Sequence, residues 1–281
     1  MKIKLPENRF DVTKETLAKL EEEFNSEAFP LLDELYKTSF YILLDKKPTK
    51  KIIRQTYLET IEDCNVTKSE SDWWSRMHRI WMREINEFYS SKENDINTKF
   101  DFIDFTKVDL NEVRNFFVTD NSELKITEEG FFNNLKKLPC VLRIPLIMKE
   151  IHSLTYEQIA ELIDVPDGVI ATRIFRARKL LFLFLRVSYD YEEQKRSGLP
   201  ENFTPIIFEY RKTALLVDNE LNEEKVDEFN EILKIQKEYE AELLIQKEIK
   251  NIFKKLILDM KAPNRLRSKI DKMAYKKFKK T

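Results

Sequence analysis

At 281 residues the chain has room for two or three small domains, each able to bury a core. Three glycines (Gly130, Gly168 and Gly198) are too few for the tight turns of a sandwich, barrel or doubly wound sheet, while Leu, Lys, Glu, Ile and Phe abound, so the composition predicts an all-α protein. A formal net charge of −1 excludes a globally basic nucleic-acid binder, and any contact with DNA has to come from local segregation of charge.

The first helical block is predicted from about Thr13 to Ser90, with breaks at Asp45-Lys46-Lys47-Pro48 and around Asn65 to Ser71. Within it Phe29, Leu32, Leu35, Tyr36, Phe40 and Leu43 recur at three- and four-residue steps, as one buried helix face requires. From Lys92 to Glu129 ten acids face five bases, which reads as a solvated linker with short helical pieces. Helices follow at about 127–137, 140–151, 155–164 and 168–187, separated by Pro139, Ser153 and Val165-Pro166. Beyond Pro200 and Pro205 come a helix near 207–218, a long one from about Glu223 to Leu258 and a last one after Pro263. The long helix carries Val226, Phe229, Leu233, Tyr239, Leu243, Phe253 and Leu256 as an apolar stripe. From Lys261 to Lys280 nine bases stand against Asp271 alone, a basic tail.

Cys64, Cys140, His78 and His152 stand far apart, so neither a metal site nor a disulfide scaffold is expected, and no cofactor is called for. Met1 to Phe10 lacks a signal-peptide hydrophobic region, and the longest apolar run, Leu180 to Leu185, is far short of the ~20 residues that span a bilayer. A cytoplasmic protein without a membrane partner is expected.

The most informative segment runs from Leu154 to Lys179. Thr155 and Gln158 form a capping box, and Leu154 with Ile159 the hydrophobic staple that sets how the chain enters a helix. Ala160 is small where a second helix must cross closely, Val165 fills the turn and Asp167 caps the next helix, so the segment reads as a helix-turn-helix. On the second helix Ile170, Ile174, Ala177 and Leu181 share one face, while Val169, Thr172, Arg173 and Arg176 share another. Arg173, Arg176, Arg178, Lys179 and Arg186 occur there with no acid from Val169 onward, the charge a helix needs in the major groove. The plainer alternative is a solvated basic face of a bundle helix. Gly168, Val169, Thr172, Arg173, Arg176 and Lys179 are the DNA-binding candidates.

Leu138-Pro139, Arg143, Leu146, Ser153 to Glu161, Val165-Pro166 and Arg173 to Arg178 together resemble the promoter-recognition domain of bacterial extracytoplasmic-function (ECF) sigma factors. Val169 departs from the threonine usual in that family. Ala28-Phe29, Leu35-Tyr36, Gln55 to Leu58 and Trp73 to Met77 resemble the family's other domain, which binds the polymerase clamp and opens the minus-ten element. The resemblance makes Ile52, Ile53, Arg54, Gln55 and Tyr57 polymerase-binding candidates, and Trp73, Trp74, Arg76, Arg79 and Trp81 promoter-melting candidates. Rings beside cations suit unstacked single-stranded DNA, although a tryptophan-rich core with solvated arginines accounts for the same pattern. Thr49, Lys50 and Lys51 stand where the family usually carries acids, a sign reversal at the expected polymerase interface.

Leu215 to Glu224, Phe229 to Tyr239 and Ala262 to Leu266 resemble the cytoplasmic zinc-binding domain of anti-sigma factors, with Ile232, Gln236 and Tyr239 at the positions of that family's zinc ligands. An unrelated helical extension is the alternative. The expected organisation is a sigma region 2-like domain at 1–91, an acidic linker at 92–125, a region 4-like helix-turn-helix domain at 126–190 and a zinc-less anti-sigma-like domain at 191–281. The expected function is a non-enzymatic sigma factor that takes core RNA polymerase to promoter DNA and is restrained by intramolecular contact with its own C-terminal domain. The alternatives are a DNA-binding regulator that no longer binds polymerase, and a helical protein-interaction adaptor.

Overall fold

The computed structural model describes residues 14–67, 72–90, 126–186, 206–235, 237–257 and 260–279, and among them every regular element is helical. The acidic stretch from 92 to 125 lies outside the described residues. Contacts divide the chain into two units, the first from residues 1–37, 45–85 and 260–281, the second from 38–44 and 86–259.

The first unit holds α1 (Lys14–Glu23), the start of α2 (Leu32–Leu43), α3 (Lys46–Thr67), most of α4 (Trp73–Ser90) and the C-terminal helix, which ends the series as α12 (Asn264–Lys279). Between α1 and α2 the helix widens over Phe24–Ala28 and tightens at Phe29–Leu31, where Pro30 has no N–H to donate. The break expected before Pro48 falls at Leu44, whose φ of 56° turns the chain; Asp45 then caps α3 by accepting the Lys47 N–H at 2.8 Å. Asp72 likewise starts α4, accepting the Ser75 N–H at 3.2 Å; hydrogen bonding from Ser75 holds its carboxyl below the usual range. The core is aromatic: the Phe24 ring lies about 6 Å from those of Phe29, Tyr57, Trp73 and Phe278. Phe278 comes from α12, so the segment expected as a basic tail is an amphipathic helix that seats Leu266, Ile270, Ala274 and Phe278 in this core.

The second unit holds α5 (Glu128–Lys137), α6 (Cys140–Glu150), α7 (Tyr156–Ile163), α8 (Asp167–Arg186), α9 (Ile206–Val217), α10 (Glu223–Ile235) and α11 (Lys237–Leu256). Thr127 caps α5, and Arg143 closes its other end, with Nη1 donating to the carbonyls of Lys136 at 3.2 Å and Leu138 at 3.1 Å. The long helix expected from Glu223 to Leu258 is instead two helices. Phe229 and Tyr239 rings stand 5.5 Å apart, whereas one straight helix would separate residues ten apart by about 15 Å along its axis. The α9 terminus is a left-handed stop: Asn219 has φ 58°, and the Glu220 N–H reaches back to the Leu215 carbonyl at 2.9 Å.

Candidate nucleic-acid interface

Helix α7 begins with the reciprocal cap that its sequence specifies. The Thr155 hydroxyl accepts the Gln158 N–H at 3.1 Å, and Gln158 Oε1 accepts the Thr155 N–H at 2.9 Å. Leu154 and Ile159 are both buried beside it. The helix stops at Asp164, φ 59°, where the Val165 N–H donates to the Ala160 carbonyl at 3.1 Å. Pro166 then opens α8 by accepting from Val169 and Ile170, and Asp167 accepts the Gly168 N–H at 2.7 Å.

On α8 the expected inner face is in place: Ile170, Ile174, Ala177 and Leu181 are all fully buried. On the other face Val169 is exposed, while Thr172, Arg173 and Arg176 are half-buried. Thr172 donates its hydroxyl to the Gly168 carbonyl at 2.9 Å. Burial lowers both guanidinium groups, Arg176 to about 10, so each remains a cation with part of its hydration removed.

The reading of Arg178 and Lys179 as outward cations does not hold. Arg178 is fully buried and Lys179 nearly so, because acids from other elements come to meet them. Arg178 Nη2 donates to both carboxylate oxygens of Asp218 at 2.8 Å, and its Nε donates to Glu150 at 2.7 Å. Lys250 at 2.7 Å and the Tyr156 hydroxyl at 2.6 Å complete the shell around Asp218. Burial by itself would raise the Asp218 carboxyl, but Arg178 and the hydrogen bonds from Arg178, Lys250 and Tyr156 hold it below the usual range. Burial would also lower Arg178, and Glu150 with Asp218 reverses that. The group is balanced in charge, two cations against two carboxylates, as burial demands.

Three further contacts tie α9 and α11 to α8. Lys179 pairs with Glu242, Gln246 Nε2 donates to the Phe175 carbonyl at 3.2 Å, and Arg211 Nη1 donates to the Gly168 carbonyl at 3.3 Å. The sequence did not single out Asp218, Glu242, Gln246 or Arg211, which make these contacts with α8.

In the first unit the promoter-melting candidates separate. Trp73 and Trp81 are fully buried core, and Arg76 is buried against Asp63 at 2.9 Å. Trp74 is half-buried and stacks on His78, with ring centroids 4.0 Å apart, and Arg79 is exposed. The polymerase-binding candidates separate the same way: Ile52, Ile53 and Tyr57 are core, Arg54 is exposed and Gln55 half-buried. Tyr57 donates its hydroxyl to the Ala28 carbonyl at 2.8 Å, and burial raises its pKa. Thr49 is buried and Lys50 and Lys51 are exposed. Of the positions matched to zinc ligands, Ile232 is half-buried, Tyr239 is buried against Phe229, and Gln236 lies outside the described residues. Among the described residues no group of three or more His, Cys, Asp or Glu is placed to hold a metal ion, and no helix is long and apolar enough to cross a membrane.

Residues 135–181, from the end of α5 into α8, match the family model described as Sigma-70, region 4. An ECF RNA polymerase sigma-E factor of Haemophilus influenzae is 23% identical over 177 residues, 60% of this chain and 94% of that protein. The chain is homologous, at family level, to the ECF RNA polymerase sigma factors. ECF sigma-E factors of Escherichia coli K12 and Salmonella typhimurium LT2 are each 21% identical over 184 residues, 60% of this chain and 93% of theirs. Nearly the whole of each ECF relative is therefore matched, and a sizeable part of this chain has no counterpart in them. No solved structure gives a significant match.

Proposed function

We propose that the protein is a promoter-specificity factor of the ECF sigma type that reads an upstream promoter element with α7 and α8 as a helix-turn-helix, and that its own C-terminal segment restrains it. The homology supports the general role in transcription initiation. The observation that carries the restraint is the engagement of α8, whose Lys179, Phe175 carbonyl and Gly168 carbonyl are held by Glu242, Gln246 and Arg211. Of the DNA-binding candidates, Gly168 and Lys179 are thus engaged by the segment after residue 205, beside the Val169, Thr172, Arg173 and Arg176 face that a helix in the major groove would present to DNA.

The hold has features of one that opens. Glu242 Oε2 and Gln246 Oε1 are buried with no hydrogen-bond partner among the described residues. Each such atom costs on the order of 1–3 kcal/mol, which offsets part of what the cover gains. The test is promoter binding and transcript yield with core polymerase for the full chain and for Glu242→Ala combined with Gln246→Ala. Restraint predicts tighter binding and more transcript from the variant. Equal values in both assays would remove the restraint and leave a sigma factor with a structural C-terminal segment.

A second reading, a DNA-binding regulator that does not dock on polymerase, draws on unit one. There α12 packs along α3, and exposed Lys50 and Lys51 reverse the charge expected at the polymerase interface. Co-purification of the full chain with core polymerase separates the two readings.

A further inference from the structure

In the first unit, α3 and α12 enclose a groove of about 600 Å³ with cations on both walls. Lys50, Lys51 and Arg54 supply one turn of α3, and Arg265 and Lys269 one turn of α12. Among the described residues no carboxylate lines it, and none of these five side chains has an ion-pair partner. Elsewhere on the same two helices cations and acids do find each other, as Lys277 does with Glu62 at 2.6 Å. Pro263 and Leu266 give the floor an apolar part. The first turn of the 16-residue helix α12 opens here, adding the positive end of its dipole.

A volume of that size is roughly 8 Å across, no more than the Debye length at physiological salt, about 8 Å. The five charges therefore repel one another across the groove, against the packing of Leu266, Ile270 and Phe278 that docks α12. A multiply charged anion would cancel that repulsion and bond to both helices at once. We propose that the groove between α3 and α12 is a binding site for a small polyphosphorylated ligand, and that the bound ligand clamps α12 onto α3. A compact polyanion fits better than an extended strand, because the volume is ligand-sized and the two walls come from opposite ends of the chain. The cations lining the groove meet the phosphates directly. The effect on transcription rests on the restraint proposed above; the site itself does not.

The test titrates the full chain with inorganic tripolyphosphate, ATP and orthophosphate by calorimetry, in EDTA at constant ionic strength, and follows thermal unfolding. Tripolyphosphate and ATP are expected to bind and to raise the melting temperature, with orthophosphate far weaker. ATP binding tighter than tripolyphosphate assigns the site to nucleotides through contacts at Pro263 and Leu266; equal binding assigns it to the phosphate chain alone. Arg265→Ala with Lys269→Ala should weaken binding about tenfold or more, since two charge-assisted contacts go. Lys272→Ala, on the same helix but outside the groove, should change it by less than about twofold. Arg265→Lys with Lys269→Arg keeps the charges and should retain binding, which separates lost charge from lost fold. The proposal is overturned by binding no better than that of orthophosphate, by indifference to the double alanine variant, or by displacement of tripolyphosphate by a short DNA duplex, which would make the groove a nucleic-acid contact. Ligand binding that leaves transcript yield unchanged, in a chain whose Glu242 and Gln246 variants do raise it, keeps the site and removes its link to restraint.

Discussion

At the scale of single residues, Asp218 accepts from three side chains, Arg178, Lys250 and Tyr156, with its own carboxylate buried. Removing one member of a buried ion pair strands the other, at a cost of about 3–5 kcal/mol, whereas an apolar replacement of the whole group is often neutral. Asp218→Ala is therefore expected to lower the urea midpoint of the second unit sharply, and loss below about 1 kcal/mol would mean that water already reaches Arg178. The same carboxyl sets a pH dependence. Its folded-state pKa lies below the unfolded value near ~3.9, so its contribution is fully present above that value and is lost as pH falls through the folded one. Asp218→Asn should flatten the fall in stability on acidification below about pH 4, measured as urea midpoints against pH. For DNA, Arg173→Ala or Arg176→Ala should cost roughly 1–3 kcal/mol of promoter affinity and relax sequence preference in a binding titration. Lys179→Ala should act first on the cover, because its buried partner is Glu242. Little of this was legible in the sequence. A cation on a basic helix reads as solvated unless its acid is known, and Asp218 and Glu242 lie 40 and 63 residues away from Arg178 and Lys179. One signal was present: Glu242 and Gln246 share the face of Tyr239, Ile249 and Phe253, and polar residues inside an apolar stripe mark a polar partner.

At the scale of elements, legibility follows how local the cause is. The cap at Thr155 and Gln158 and the stop before Pro166 depend on residues within a few positions, and each falls where the spacing put it, with Leu154 and Ile159 both buried. Thr155→Ala should cost about 1 kcal/mol of stability by thermal or urea unfolding, since it frees one amide donor at the start of α7. The division of α10 from α11 was not legible, because the 223–258 stretch has neither glycine nor proline and its helical pattern runs on. The expected stripe also shifts: Ala241, Ile245, Ile249 and Ile252 are buried, while Leu243 and Leu256 are only half-buried. The face of a helix is chosen by what packs on it, here α8 and α9, and periodicity alone leaves that choice open. Composition misled in α12, where seven bases concealed an amphipathic face at Leu266, Ile270, Ala274 and Phe278. Its charge is real, but its apolar stripe decides where it lies.

At the scale of the whole molecule, the segment after residue 205 contributes α9, α10 and α11 to the second unit and α12 to the first. Nested truncations separate the two contributions. Removing residues 260–281 takes Phe278 away from Phe24 and opens α3, but leaves Glu242 on Lys179. It should cost the first unit several kcal/mol, since a buried phenylalanine alone is worth about 3–5 kcal/mol, and should leave promoter binding near that of the full chain. Removing residues 206–281 also uncovers α8. If the restraint acts on DNA reading, only the longer deletion raises promoter binding, and it does so even though Arg178 loses Asp218. If the restraint acts on polymerase docking at α3, the shorter deletion already raises co-purification with core polymerase. A basic C-terminus that grips DNA predicts the opposite sign, weaker binding from both deletions, with a shallower dependence on salt because phosphate contacts are lost. Circular dichroism and urea midpoints of both truncated chains must accompany the binding curves, because exposing the Phe24 cluster unfolds a marginal unit and mimics lost function. The outcome that refutes restraint is a folded 1–205 chain that binds promoter DNA more weakly than the full protein.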